Sequence, residues 1–172
     1  MMEMLAYAPE GAVLLTFVAA SLALNVTPGA DMMFSVASGV SGGARAAVAA
    51  SFGINLGVVA HIALAAIGVA ALIEAEPLAY DAFRYLGAAY LIWLAAQMWR
   101  APPPDLTQEA CAPLARVALR GFVPNLPNPK TALFIFAFIP QFPDPSRRAV
   151  WAQIVALGAA FLVAGVTLNA PL

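Results

Sequence analysis

Two short segments carry residue types that could do chemistry. The first is Asn25-Val26-Thr27-Pro28-Gly29-Ala30-Asp31 and the second is Pro124-Asn125-Leu126-Pro127-Asn128-Pro129-Lys130. Each contains Asn and Pro and ends in a charge, Asp31 in one and Lys130 in the other. Pro28 removes a backbone donor and clashes with the preceding turn, and Gly29 tolerates conformations closed to other residues. Three prolines in six residues stop the second segment from continuing a straight helix. Carbonyls freed in this way are good ligands for an ammonium or a cation. Amide N–H groups at the start of the next helix suit a carboxylate. A molecule carrying both charges fits such a pair of breaks.

The surrounding elements are apolar. Of 172 residues, 63% are hydrophobic and 10% charged, and the mean hydropathy is +0.86. An ordinary soluble domain carries about 25% charged residues. Composition therefore excludes a soluble globular domain, a disordered chain and a disulfide scaffold. A net charge of -1 gives no signal for nucleic acid. What remains is an integral membrane protein. Ala- and Leu-rich runs favour helices, and the alternation of a β-barrel is absent.

Charged residues punctuate the chain. Uncharged runs of about 20 residues mark membrane-crossing helices. The spacing predicts five spans, over 11–30, 46–73, 78–99, 121–142 and 149–169. The fourth places Lys130 inside its span. A lone charge at the bilayer centre costs roughly 2.5–3.5 kcal/mol on insertion scales. Pairing Asp31 with Lys130, or pairing each with a zwitterion, would offset much of that. The alternatives are an interfacial Asp31 and a Lys130 that snorkels to the surface. The domain division is 1–100 for a first repeat of three spans, 101–120 for a polar Pro-rich linker, and 121–172 for a second repeat. Arginines in short loops favour an outside N-terminus and a cytoplasmic 100–120 loop, with Arg147 and Arg148 against it.

Other candidates are weaker. His61 is the only histidine and is able to relay protons in this pH range. Its plainer role is a neutral ring bonded to a neighbouring helix. Gly39-Val40-Ser41-Gly42-Gly43 fits a hydrolase pattern, but Ser41 stands in a Gly-rich stretch at a span's end, so no enzyme is expected. Cys111 is the only cysteine, and no Cys/His cluster suggests a metal site. Gly53 and Gly57 are spaced for close helix packing. Tyr85, Tyr90, Trp93 and Trp99 fit interfacial anchoring.

The segments TPGADMMFSVASGVSGGARAA, FGINLGVVAH and NLPNPKTALFIFAFIPQF resemble the LysE/RhtB family of amino-acid exporters. The resemblance implies export of amino acids or derivatives, driven by proton motive force, with no bound cofactor. It also implies six helices in two inverted three-helix repeats. Thr27, Pro28, Gly29 and Asp31 fall on the first family motif; Asn128, Pro129 and Lys130 fall on the second. Ala30 stands where the family usually has a second proline.

The expected architecture is thus an all-α, polytopic inner-membrane protein. A small amino acid would bind near the midplane, its carboxylate at Lys130 and the N–H groups near Pro129. Its ammonium would meet Asp31 and the carbonyls near Asn25 and Pro28, with Asn25, Asn125 and Asn128 adding neutral hydrogen bonds. Protonation of Asp31 or His61 would couple the cycle, and the two repeats would rock around the site. The partners are the amino acid and membrane lipid, with a homo-oligomer left open. The rival reading is a non-transporting subunit or scaffold, or an inactive shortened exporter. From Pro28 to Arg100 is about 29 residues longer than from Pro129 to Leu172, so a sixth helix is expected beyond the chain's end.

Overall fold

A computed structural model describes residues 11–27, 29–100, 112–144, 146 and 149–169. Among them every regular element is helical. Helix α1 spans Gly11–Val26 and α2 spans Ala30–Leu64. A π-helical turn, Ala65–Val69, leads into α3, Ala70–Ala75, and α4 spans Pro77–Arg100. Helix α5 spans Leu114–Asn125. Helix α6, Pro129–Leu133, continues through a π-helical turn, Phe134–Phe138, and a 3-10 turn, Ile139–Gln141. Helix α7 is Val150–Asn169.

Helix α2 is not one rod. Gly43 has φ 75° and ψ -178°, a left-handed backbone suited to glycine. The Ser35 and Ser51 hydroxyls, equidistant in sequence from Gly43, lie 3.2 Å apart. In a straight helix residues with that separation would stand about 24 Å apart. The chain therefore folds back at Gly43 into two arms, 30–42 and 44–64. A Cβ at Gly39 would lie 3.3 Å from that of Ala47, which keeps the same register. Ser41 is helical, its hydroxyl donating to the Ala37 carbonyl at 2.8 Å, so it forms no nucleophile elbow.

This corrects the predicted boundaries. The stretch 31–45, expected as a loop, is helix up to the Gly43 turn. The first span thus continues from α1 across a break into the arm 30–42. Reading the span as ending at Asp31 assumed that a charge marks a boundary. Asp31 instead finds hydrogen-bond partners inside the protein. Likewise α5 begins at Leu114, inside the expected linker, because Arg116 and Arg120 are tolerated in the first turns of a span. The stretch 78–99 lies in helix α4, and 149–169 contains helix α7.

Glycines set the packing. A Cβ at Gly53 would collide with the Ala118 carbonyl, and one at Gly121 would stand 2.5 Å from the Ala50 carbonyl oxygen. The arm 44–64 and α5 are therefore in near backbone contact, as small residues allow in lipid. The Phe-rich run after Lys130 fills the centre. Phe134 stacks on Phe138 at 4.8 Å and meets Phe161 of α7 at 4.7 Å; Phe142 lies edge-on to Phe17 of α1 at 5.3 Å. Ile135, Ile139 and Ile154 are fully buried.

Polarity is distributed as lipid requires. His61, Asn125, Thr131 and Gln153 are buried, whereas Ile67, Leu86 and Ile92 are more than 70% exposed. Ala30–Gly68 and Val150–Thr167 are long and apolar enough to cross a membrane.

Candidate functional site

The two breaks meet. At the first, α1 ends at Val26, Thr27 and Gly29 are extended or bent, and α2 starts at Ala30. Pro28 lies outside the described residues. At the second, Pro127 and Pro129 lack N–H donors, so the helical ladder lapses. The Asn128 N–H closes a turn on the Asn125 carbonyl at 2.9 Å. Asn128 then caps α6, its Oδ1 accepting from the Lys130 N–H at 3.1 Å, with Pro129 in the first turn.

Each half holds the other's charge. The Asp31 carboxylate, from the first break, accepts at Oδ2 from Asn125 Nδ2 at 2.9 Å and Asn128 Nδ2 at 2.7 Å, and from Thr131 Oγ1 at 3.5 Å. The Lys130 ammonium, from the second, donates to the Thr27 carbonyl at 2.7 Å. A direct pairing of Asp31 with Lys130, one of the two arrangements the sequence allows, is not among the hydrogen bonds and ion pairs of the described residues. Neutral amides and a freed carbonyl make the hydrogen bonds to the two charged groups, which attract each other only through space; one carboxylate oxygen and two ammonium protons are left for a third party. Gly29 makes room for the lysine: a Cβ there would lie 3.2 Å from Nζ and 3.4 Å from Cδ. Its φ of -141° suits any residue, so space rather than backbone freedom requires the glycine.

A cavity of about 450 Å³ opens between the breaks, within the range of small-molecule sites. Asn25, Thr27, Gly29, Asp31 and Lys130 line it. Asn25 is tied back to the Ser21 carbonyl at 2.9 Å. Asn125, Asn128 and Pro129 do not line it; the two asparagines act behind it, on Asp31. His61 lies outside it, Nε2 facing the Asn125 carbonyl at 3.3 Å. The expected seat for a carboxylate at the start of α6 is occupied, since Asn128 takes the Lys130 N–H and Asp31 bonds to Asn128 and Thr131 there.

Sequence reasoning missed four polar residues. Thr131 supports Asp31, and Ser35, Ser51 and Asn55 line the cavity. Asn55 donates to the Ser51 carbonyl at 2.8 Å. The signal was present: Ser35 follows Asp31 by one helical turn, and Asn55 follows Ser51 by one. Only the fold-back at Gly43 puts these two stripes face to face.

Interrupted helices, charges cross-held between halves and an apolar exterior define a multi-pass membrane protein with an internal polar site. The chain belongs to the LysE type translocator family, whose model matches residues 22–169. It is 38% identical over 146 residues to an uncharacterized membrane protein of Vibrio cholerae, covering 84% of this chain and 71% of that one. It is 35% identical to a homoserine/homoserine lactone efflux protein of Salmonella typhimurium, over 83% of this chain and 70% of the relative. A leucine efflux protein of an Enterobacter species is 32% identical, over 90% and 71%. No solved structure matches the chain significantly. Membership of this bacterial translocator family places the chain in the inner membrane.

Proposed function

We propose that this protein exports amino acids or close derivatives, binding them between the two interrupted spans. The observation that carries this reading is the pair Asp31 and Lys130. Both line one cavity, and among the described residues they share no hydrogen bond or ion pair. A zwitterion supplies the two missing partners. Its ammonium meets the Asp31 oxygen that Asn125 and Asn128 leave free. Its carboxylate meets the remaining protons of Lys130. In a low-dielectric cavity both contacts gain strength. The efflux proteins among the relatives support an amino acid as the cargo.

Transport follows from movement of one half against the other around the cavity, opening it to each side in turn. Each cross-held charge spans the two halves, so the site senses their relative position. Asp31 is the group through which a proton gradient drives the cycle: it holds the substrate ammonium when ionised and releases it when protonated.

The test uses the full chain in liposomes with an imposed pH gradient and labelled homoserine or leucine. The parent protein should move one of them uphill. Asp31→Asn and Lys130→Met should each abolish this while membrane insertion is unchanged. Parent rates in both variants would mean that the two charges are structural.

A further inference from the structure

We infer that His61 is a positioning residue that holds the second break in place and thereby presents Asp31 to the substrate. This rests on the reading of Asp31 as the ammonium partner. His61 belongs to the arm 44–64 and is 4% exposed. Its Nε2 lies 3.3 Å from the Asn125 carbonyl oxygen. A carbonyl only accepts, so Nε2 carries the proton and donates. The ring stands edge-on to Phe136, centroids 5.3 Å apart. Nδ1 is buried with no hydrogen-bond partner.

The Asn125 carbonyl is an orphan of the helix end, left over when the ladder of α5 lapses. It receives the Asn128 N–H and the His61 ring together. Its own side chain donates to Asp31 Oδ2 at 2.9 Å, and Asn128 donates to the same oxygen. His61 thus fixes the turn from which both amides reach Asp31. The connection passes through a backbone carbonyl, which does not relay a proton. His61 does not line the cavity either. These features separate it from the proton-carrying role that its residue type suggested.

Export by the full chain in liposomes is measured across pH for the parent, His61→Leu and His61→Gln, with labelled homoserine or leucine. Glutamine keeps a donor near the Nε2 position but does not titrate. His61→Leu should raise KM about fivefold to tenfold, the effect of one lost hydrogen bond, with kcat changed less than threefold. His61→Gln should restore KM to within about twofold and keep the parent's pH profile. Loss of proton-driven export in His61→Gln would overturn the assignment, because titration of the ring would then be needed. So would an unchanged KM in His61→Leu. Asp31→Asn is measured beside them; export at the parent rate there would remove the site reading and this assignment with it.

Discussion

Asn125 lies against Gly57, and its amide oxygen fills the space that a side chain on that glycine would need. Asn125 is fully buried, so its amide has no other place to go. The Gly53 and Gly57 pair therefore does more than bring two helices together. It fixes the amide that donates to Asp31. The first break shows a similar arrangement: a Cβ at Gly165 of α7 would lie 2.8 Å from Asn25 Oδ1. In both places an asparagine next to a break sits against a glycine from the other half of the chain.

Gly57→Ala should therefore impair both stability and transport. Overpacking at such a contact costs about 1–3 kcal/mol. Thermal unfolding in detergent should shift down, and export should fall at least tenfold. Gly68→Ala is the comparison, because a Cβ there meets nothing within 4 Å. A Gly57→Ala protein that melts and exports like Gly68→Ala would show that Asn125 has room to move aside.

Gly29→Val tests the space around Lys130. The backbone tolerates the change, but the side chain would displace Nζ from the Thr27 carbonyl. KM should rise with folding unaffected, by an amount like the loss of one charge-assisted hydrogen bond, about tenfold or more. Equal KM values in the two proteins would mean that the Lys130 tether is dispensable.

Ser35 and Ser51 face each other one helical turn from Asp31, inside the cavity. In the proposed binding mode, with the charged ends at Asp31 and Lys130, the substrate side chain would extend toward the hydroxyl pair or toward Phe161 and Leu162, which also line the cavity. The double change Ser35→Ala with Ser51→Ala should alter the homoserine-to-leucine export ratio by about fivefold to tenfold, one hydrogen bond's worth. An unchanged ratio would place the side chain against the apolar wall.

Topology is testable through Cys111, the only cysteine. The arginine distribution favours a cytoplasmic 100–120 stretch, with Arg147 and Arg148 against it. In intact cells an impermeant thiol reagent should leave Cys111 unlabelled, and permeabilisation should expose it. Ready labelling of intact cells would invert the orientation.

Much of this was legible in the sequence, for physical reasons. Lipid leaves a strong compositional mark, so the helical class followed from the apolar composition. The two helix interruptions, at 27–29 and 126–128, lie beside prolines that the sequence shows plainly. What the sequence hid was reach. Asp31 looked like the end of a span because its donors, Asn125, Asn128 and Thr131, stand in the other half. The fold-back at Gly43 hid in a Gly-rich stretch read as an ordinary loop, and with it went the partnership of Ser35 and Ser51. His61 was marked by its rarity alone, and rarity does not tell a proton carrier from a clamp.

The cross-held charges also set a timetable for synthesis. Asp31 is made 94 residues before Asn125 and 100 before Thr131. At about 5–20 residues per second, roughly 5–20 s separate its emergence from that of its donors. Throughout that interval the first span has a carboxyl group and none of its final companions. The nascent segment must wait near the headgroups or inside the insertion machinery until the second break arrives.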